Sequence, residues 1–209
     1  MKTALIVMAK APVPGFAKTR LVPPLSFEQA AELQRCLTSD VLERPWANGP
    51  RVLAVAGTSE NFASCVEAGW RLTPQRGADL GERLSHASRE ATDGGADAVV
   101  FLGTDSPDLP DALRGAIVPA LEAAEVVIGP AFDGGYYTIG SRGHLPWLFE
   151  GMPWSEATLF DATLEACARH GARVGLLPAW YDIDNIADLR RFGLHSRLAV
   201  SYTHLRAHE

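Results

Sequence analysis

The residue best placed for chemistry in this chain is Asp105, which follows an uninterrupted apolar run. Residues 98–103 read AVVFLG, and a run of this kind that ends at a glycine is typical of a strand buried on both faces of a sheet. Ligands of open α/β sheets bind just beyond the carboxyl ends of such strands. We therefore interpret Asp105 as a residue that binds a ligand or a metal. The alternative is a carboxylate that closes a turn or caps the helix predicted to start near Asp111.

A basic loop follows the first apolar segment of the chain. Residues 10–21 read KAPVPGFAKTRL, so three cations and a glycine lie on a loop that two prolines stiffen. Phosphate groups are bound by this combination of fixed backbone N–H groups and basic side chains. The spacing matches neither the P-loop nor the dinucleotide-binding fingerprint, which disfavours both classes, and the alternative is a solvated surface loop. The loop residues expected to contact a nucleotide are Lys10, Ala11, Pro14, Gly15, Lys18 and Arg20.

Two further acidic segments follow predicted strands. Asp133 lies in the glycine-rich segment 129–135 (GPAFDGG), where it would contact an acceptor group or, equally, form an ordinary hairpin turn. Asp182 and Asp184 are two residues apart on an extended segment, so their side chains are expected to point the same way. Either one would complete a metal site with Asp105, because Mg²⁺ and Mn²⁺ take oxygen ligands from one or two carboxylates together with phosphate and water. The alternative for Asp184 is the cap of the last helix.

Other candidate residues lie beside these segments. Thr104 precedes Asp105 and is expected to contact the nucleotide with it. Gly81 would let a base or sugar approach closely, although its position also fits the start of a helix. Trp154 and Ser155 precede another predicted helix, so they would line an acceptor pocket or belong to the core.

Strand-like and helix-like segments alternate, and this order must bring the candidate residues to one edge of a sheet. The predicted strands are 3–9, 51–57, 99–103, 125–130, 135–140 and 173–177. The predicted helices are 27–43, 60–68, 79–92, 111–123, 157–171 and 185–192, the third with Leu80, Leu84 and Ala87 on its buried face. The order predicts a three-layer α/β/α fold with a mostly parallel sheet. Residues 133–135 are too few for a crossover helix, so an antiparallel strand is expected after them.

The composition is that of an ordinary soluble globular protein, with 47% hydrophobic and 21% charged residues. The 209 residues fit one domain, predicted over 1–200, with a disordered or foreign tail at 201–209. The net charge of −6 argues against nucleic-acid or anionic-membrane partners. No segment approaches the length of a membrane span, and three separated cysteines favour neither disulfides nor zinc, so a cytoplasmic location is expected.

Four motifs, in this order, resemble one known family. They are 10–21 (KAPVPGFAKTRL), 103–110 (GTDSPDLP), 129–137 (GPAFDGGYY) and 182–184 (DID). The family is that of the radical-SAM- and selenodomain-associated transferases, bacterial proteins of the glycosyltransferase-A (GT-A) type. It belongs to the nucleotide-diphosphosugar transferase superfamily, as do the phospholactate and molybdenum-cofactor guanylyltransferases. The resemblance covers about residues 1–192.

The resemblance implies a GT-A-like fold that binds a nucleotide at the carboxyl ends of its first strands. It implies Mg²⁺ or Mn²⁺ held by Asp105 with Asp184 or, less closely matched, Asp182, and phosphates held by Lys18 and Arg20. The function expected is glycosyl transfer from a nucleotide sugar to a small acceptor. A nucleotidyltransferase that releases pyrophosphate and a non-catalytic nucleotide-binding module are the alternatives. The expected catalytic residues are Asp105, Lys18, Arg20 and Asp133, the last of which would position or deprotonate the acceptor hydroxyl.

Overall fold

The computed structural model describes residues 1–62 and 69–195 of the chain. Its strands are β1 (Thr3–Lys10), β2 (Arg51–Ala56), β3 (Trp70–Pro74), β4 (Ala98–Leu102), β5 (Val126–Pro130), β6 (Tyr136–Arg142) and β7 (Val174–Leu176). Its α-helices are α1 (Phe27–Glu43), α2 (Leu80–Asp93), α3 (Asp111–Ala123), α4 (Leu159–Arg169) and α5 (Ile186–His195). None of the described helices is long and apolar enough to cross a bilayer.

The seven strands of the described residues form one sheet in the order β3-β2-β1-β4-β6-β5-β7. Neighbouring strands are parallel except for β6, which runs antiparallel to both β4 and β5. This confirms the prediction of a mostly parallel sheet with an antiparallel insertion. The carboxyl ends of β1, β2 and β4 therefore meet at one edge, where the loops after β1 and β4 carry candidate residues.

Burial on both faces explains the apolar runs of the central strands. In β1, Leu5 and Val7 pack on one face with residues of α1 and α3, whereas Ala4 and Ile6 pack on the other with residues of α2 and α4. Every residue of β4 is buried. Helices therefore cover both faces of the sheet, and the predicted three-layer α/β/α arrangement is confirmed.

Side-chain caps mark the starts of α1 and α2, where the loops after β1 and β3 end. Ser26 Oγ accepts a hydrogen bond from Gln29 N (3.2 Å), and Gln29 Oε1 accepts one from Ser26 N (2.8 Å), which makes a capping box at the start of α1. Asp79 caps α2 by accepting a hydrogen bond from Glu82 N (2.8 Å). These side chains satisfy backbone N–H groups that have no partner within the helix.

The buried face of α2 differs from the predicted one. Leu80, predicted to be buried, is 38% exposed, and Ala87 is half-buried. The buried face of the helix includes Gly81, because a residue without a side chain lets the helix backbone pack closely on Phe149 and Trp154. The buried residues of α2 are Gly81, Leu84, Ser88 and Ala91.

Strand β3 was not predicted, because its five residues are too few to show a clear pattern. It pairs with β2 alone, and an edge strand needs no continuous apolar run. The helix predicted at 60–68 begins as a 3₁₀ turn, Ser59–Phe62, and residues 63–68 lie outside the described residues. The tail at 201–209 also lies outside them, and the single domain over 1–200 stays a prediction.

Candidate functional site

Lys18 connects three loops at the carboxyl edge of the sheet. The loop between β1 and α1 carries it in a left-handed backbone conformation (φ 53°), and only 6% of its side chain is exposed. Its Nζ lies 2.9 Å from Asp105 Oδ1 and donates a hydrogen bond to the backbone oxygen of Ile183. A buried ammonium is stable only where charges and acceptors surround it. The predicted cation and the predicted carboxylate are therefore in direct contact.

Asp105 follows β4, as predicted, and Thr104 orients its side chain. Thr104 Oγ1 donates a hydrogen bond to Asp105 Oδ1 (3.2 Å) and accepts one from Gln34 Nε2 (3.0 Å). The backbone oxygen of Asp105 accepts a hydrogen bond from Ile183 N (2.8 Å), and its side chain is 39% exposed. Helix α3 has no side-chain cap, so the alternative role of Asp105 as its cap is wrong. Thr104 is buried, so its side chain supports Asp105, and its contact with the nucleotide stays a prediction.

Asp182 is a largely enclosed carboxylate next to the loop that follows β4. Ser106 Oγ donates a hydrogen bond to its Oδ1. Burial raises the pKa of Asp182 to about 7, although the bond from Ser106 opposes this shift. Nearby negative charges act in the same direction as burial, and they belong to Asp105, Asp133 and Asp184. Four carboxylates therefore lie near enough to repel one another.

Asp184 contacts the basic loop rather than capping helix α5. Its Oδ2 lies 3.3 Å from Arg20 Nη1. Burial raises the pKa of Asp184, and the positive charge of Lys18 opposes that shift. Asn185 caps α5 instead, because its Oδ1 accepts a hydrogen bond from Asp188 N (3.1 Å) and Asp188 Oδ2 accepts one from Asn185 N (3.0 Å). The alternative role of Asp184 as the helix cap is therefore wrong.

The other predicted residues of the basic loop differ in their exposure. The Arg20 side chain is 73% exposed, so it reaches Asp184 from the solvent side. Gly15 has a φ of +79° with open space beside it, which leaves its backbone accessible. Pro14 and Lys10 are exposed, and contacts of these three residues with a nucleotide stay predictions. Ala11 is buried, so its side chain supports the loop and does not face a ligand.

Asp133 lies in the turn between β5 and β6. Gly135 N donates a hydrogen bond to Asp133 Oδ1 (2.9 Å), so the carboxylate stabilises its own turn. Gly134 has a φ of +91°, and a side chain there would overlap the backbone of Ala157. Asp133 also lines the cleft described below. The geometry is thus compatible with both interpretations of this residue, as a turn residue and as a site residue.

We expect Gly134→Ala to lower the free energy of unfolding by about 2 kcal/mol or more, because it adds both a left-handed alanine and an overlap with Ala157. Gly143→Ala is the matched control. Its φ is +64° but nothing lies within 4 Å of the added carbon, so a loss of about 1 kcal/mol is expected. Urea unfolding followed by circular dichroism measures both losses, and equal losses would contradict the contact with Ala157.

A cleft of about 260 Å³ lies next to the carboxylates, beyond the end of β4. Leu80, Phe101 and Trp154 provide apolar walls. Trp154 and Ser155 both line it, in agreement with the interpretation that they line a pocket. The charged residues of the cleft are Asp133, Glu156 and Asp182.

Gly81 leaves no space for a ligand on its side-chain face. The backbone oxygen of Phe149 and the indole of Trp154 occupy the position that a side chain would take. This corrects the expectation that Gly81 admits a base or sugar, and its neighbour Leu80 lines the cleft instead. Glu156 was missed by the sequence analysis, because a loop glutamate carries no pattern of its own.

Comparison with known proteins identifies the family. The model of the family described as "Uncharacterized protein conserved in bacteria (DUF2064)" matches residues 44–156. A protein of Desulfovibrio desulfuricans G20, described as a candidate nucleotide-diphospho-sugar transferase, is 34% identical, with 98% of this chain and 94% of that chain covered and a TM-score of 0.87. This chain belongs to the DUF2064 family. Its fold is that of the nucleotide-diphosphosugar transferases.

Two more distant structures share this fold. CMP:2-keto-3-deoxy-manno-octonic acid synthetase, determined with CTP, is 11% identical, with 98% of this chain and 100% of that chain covered and a TM-score of 0.59. Rv0371c of Mycobacterium tuberculosis H37Rv, determined with manganese, is 16% identical, with 91% and 97% covered and a TM-score of 0.51. No curated protein matches the chain.

The carboxylates of this DUF2064 member suit a divalent cation that phosphate and water also bind. Among residues 1–62 and 69–195, no three His, Cys, Asp or Glu side chains are arranged to hold a metal by themselves. One or two carboxylates with phosphate oxygens and water is the usual arrangement around Mg²⁺. Burial raises the pKa of Asp182 and Asp184, the negative charges of Asp105 and Asp133 add to that rise, and a divalent cation would offset this repulsion. The residues therefore fit Mg²⁺ or Mn²⁺ held jointly with a phosphate ligand.

The raised pKa of Asp182 predicts a pH-dependent stability in the metal-free protein. The pKa is about 7 in the folded protein against an ordinary value of 3.8, so the folded state holds this proton more tightly than the unfolded state. The resulting stabilisation is complete below pH 3.8 and is lost as the pH rises through 7. We expect Asp182→Asn to remove this loss. Between low and neutral pH, the free energy of unfolding of the variant should therefore fall by about 1–3 kcal/mol less than that of the wild type.

Urea unfolding between about pH 4 and pH 8, in the presence of a chelator, tests this expectation. Asp161→Asn, a change at an exposed carboxylate of α4, serves as the control. The same pH profile in Asp182→Asn and wild type would show that Asp182 does not titrate in this range.

Proposed function

We propose that this chain is a metal-dependent transferase that moves a glycosyl group from a nucleotide sugar to a small acceptor. The observation that carries the proposal is the contact between Lys18 and Asp105, with Arg20 and Asp184 beside it, at the carboxyl edge of the sheet. Cations and carboxylates are mixed there, which suits a diphosphate bound together with a divalent ion. The adjacent cleft is where the acceptor would lie.

Each charged residue has a distinct task in this proposal. Lys18 and Arg20 neutralise the phosphate oxygens of the donor. Asp105 and Asp184 hold Mg²⁺ or Mn²⁺, which when bound offsets the charge that develops on the leaving diphosphate. Asp182 is the alternative to Asp184 as the second ligand. Support for a metal comes from the excess negative charge at these carboxylates and from the manganese found in a protein of the same fold.

The proposed reaction replaces one bond of the donor sugar. The acceptor hydroxyl oxygen forms a bond to the anomeric carbon, and the bond from that carbon to the diphosphate oxygen breaks. The electron pair of the broken bond leaves with the nucleoside diphosphate. The hydroxyl proton passes to the carboxylate of Asp133, which lines the cleft.

Nucleotidyl transfer is the second candidate function, and two observations favour it. A synthetase with the same fold was determined with CTP, and the basic loop after β1 suits a departing pyrophosphate. In this reaction an acceptor oxygen forms a bond to the α-phosphorus of a nucleoside triphosphate, and pyrophosphate leaves with the electron pair. A nucleotide-binding module without turnover is the third candidate.

One experiment separates these candidates. The protein is incubated with Mg²⁺ or Mn²⁺, a panel of hydroxyl and phosphate acceptors, and either the four nucleoside triphosphates or a set of nucleotide sugars. Release of nucleoside diphosphate from a nucleotide sugar supports glycosyl transfer, whereas release of pyrophosphate supports nucleotidyl transfer. Metal-dependent stabilisation without either product, of about 2.7 kcal/mol at 100 times Kd, supports the binding module. No stabilisation by any nucleotide would contradict all three.

A further inference from the structure

The cleft beside the cluster of Lys18, Arg20, Asp105 and Asp184 is lined by charged side chains of one sign. Its charged residues, Asp133, Glu156 and Asp182, are all carboxylates. The two cations of the site lie elsewhere: Lys18 contacts Asp105, and Arg20 contacts Asp184. These two cations therefore lie outside the cleft, and the charged side chains that line it are acidic.

Trp154 gives the cleft one flat apolar wall, and neighbouring residues contact its ring. The Trp154 indole lines the cleft and meets the Tyr136 ring edge to face, with centroids 6.4 Å apart and planes at 87°. Gly81 lets α2 contact the same indole from another side. Leu80, which is 38% exposed, continues this apolar surface toward solvent. Together these contacts present a fixed surface to a planar ligand.

We infer that the cleft takes an acceptor with a flat apolar body and an uncharged or positively charged head group, and that it rejects phosphorylated or carboxylated acceptors. The inference rests on the proposed function, because it names the acceptor class of the same site. An anionic group would lie beside the carboxylates of Asp133 and Glu156, where like charges repel. A hydroxyl or ammonium group would instead donate hydrogen bonds to them.

This acceptor class bears on the type of transfer. A hydroxyl acceptor suits a glycosyl donor, whereas transfer of a nucleotide to an acceptor phosphate would require cations in the cleft to neutralise that phosphate. The carboxylates of Asp133 and Glu156 therefore disfavour nucleotidyl transfer to an acceptor phosphate.

Three small probes test the inference by direct binding. Tyramine, tyrosol and 4-hydroxyphenylacetate share a phenol ring and carry a positive, a neutral and a negative head group at neutral pH. Dissociation constants are measured on the full chain by ligand-observed NMR. We expect tyramine and tyrosol to bind at least about tenfold more tightly than 4-hydroxyphenylacetate.

A charge reversal inside the cleft is compared with one outside it. Glu156→Lys places a cation at the exposed rim of the cleft, so it should reduce the preference against 4-hydroxyphenylacetate by about threefold or more. Glu165→Lys makes the same change in net charge on the exposed face of α4, away from the cleft, and should leave the preference unchanged.

Three results would overturn the inference: equal or tighter binding of 4-hydroxyphenylacetate, no binding of any probe, or the same response in both lysine variants. Stabilisation by nucleotide and Mg²⁺ is recorded in parallel without the probes. Normal nucleotide binding with the wrong probe preference removes the acceptor class alone. The expected probe preference without any effect of nucleotide removes the proposed function alone.

Discussion

We expect Asp105→Asn to abolish metal-dependent binding of a nucleotide donor and to slow transfer by about 10²–10³-fold. The substitution removes the negative charge that lies 2.9 Å from Lys18 Nζ and that would hold the divalent ion. Asparagine keeps the size of the side chain and an oxygen that can accept the bond from Thr104. The bond between the backbone oxygen of Asp105 and Ile183 N also remains, so the fold should stay intact.

Calorimetric titration with nucleotide in the presence of Mn²⁺ measures the binding, and release of nucleoside diphosphate measures the transfer. Asp93→Asn, at the exposed end of α2, is the control with the same change in charge. Circular dichroism spectra that match the wild type would show that the loss is local. Unchanged Mn²⁺-dependent binding in Asp105→Asn would mean that the assignment of this carboxylate as a metal ligand is wrong.

Lys18→Met is the second change with a large expected effect. It keeps the length of the side chain but removes the charge that contacts Asp105 and that would neutralise a donor phosphate. The loss of one such charged contact corresponds to about 10²–10³ in rate. Because the ammonium would contact the diphosphate before and during bond breaking, donor affinity should fall together with the rate. Lys18→Arg keeps the charge and should recover part of both.

Steady-state kinetics with varied donor concentration test the role of Lys18. Lys2→Met is the control, since Lys2 is an exposed lysine just before β1, at the opposite edge of the sheet. Wild-type kcat and KM for the donor in Lys18→Met would show that the ammonium has only a structural role. Combining Lys18→Met with Asp105→Asn should cost less than the sum of the single changes, because the two side chains act in one cluster.

The sequence was sufficient to predict which elements form and which residues follow them. The apolar run of β4 predicted a doubly buried strand, and that placed Asp105 at the carboxyl edge of the sheet. The observed bounds of α1 and α3 match the predicted ones, and a capping box from Ser26 marks the first start. These signals are readable because caps, turns and apolar periodicity act between residues a few positions apart.

The sequence did not predict which residues at the start of α2 are buried. Leu80 and Gly81 are neighbours at the start of α2, and the sequence predicted the first as core and the second as a ligand contact. In the structure Leu80 is partly exposed and lines the cleft, whereas Phe149 and Trp154 come from a distant segment to fill the space beside Gly81. Only the assembled helix and loop determine which residue is buried.

The partners of the carboxylates were likewise decided by tertiary structure. From the sequence, both Asp182 and Asp184 were candidates for a second metal ligand, and the family resemblance favoured Asp184. In the fold, Asp182 accepts a hydrogen bond from Ser106 and lines the cleft, whereas Asp184 contacts Arg20 of the basic loop. Local patterning thus determined that a cation and a carboxylate would each lie at a strand end. The contact between Lys18 and Asp105 forms because the loops after β1 and β4, far apart in sequence, lie side by side in the fold. No short-range sequence pattern predicts such a contact.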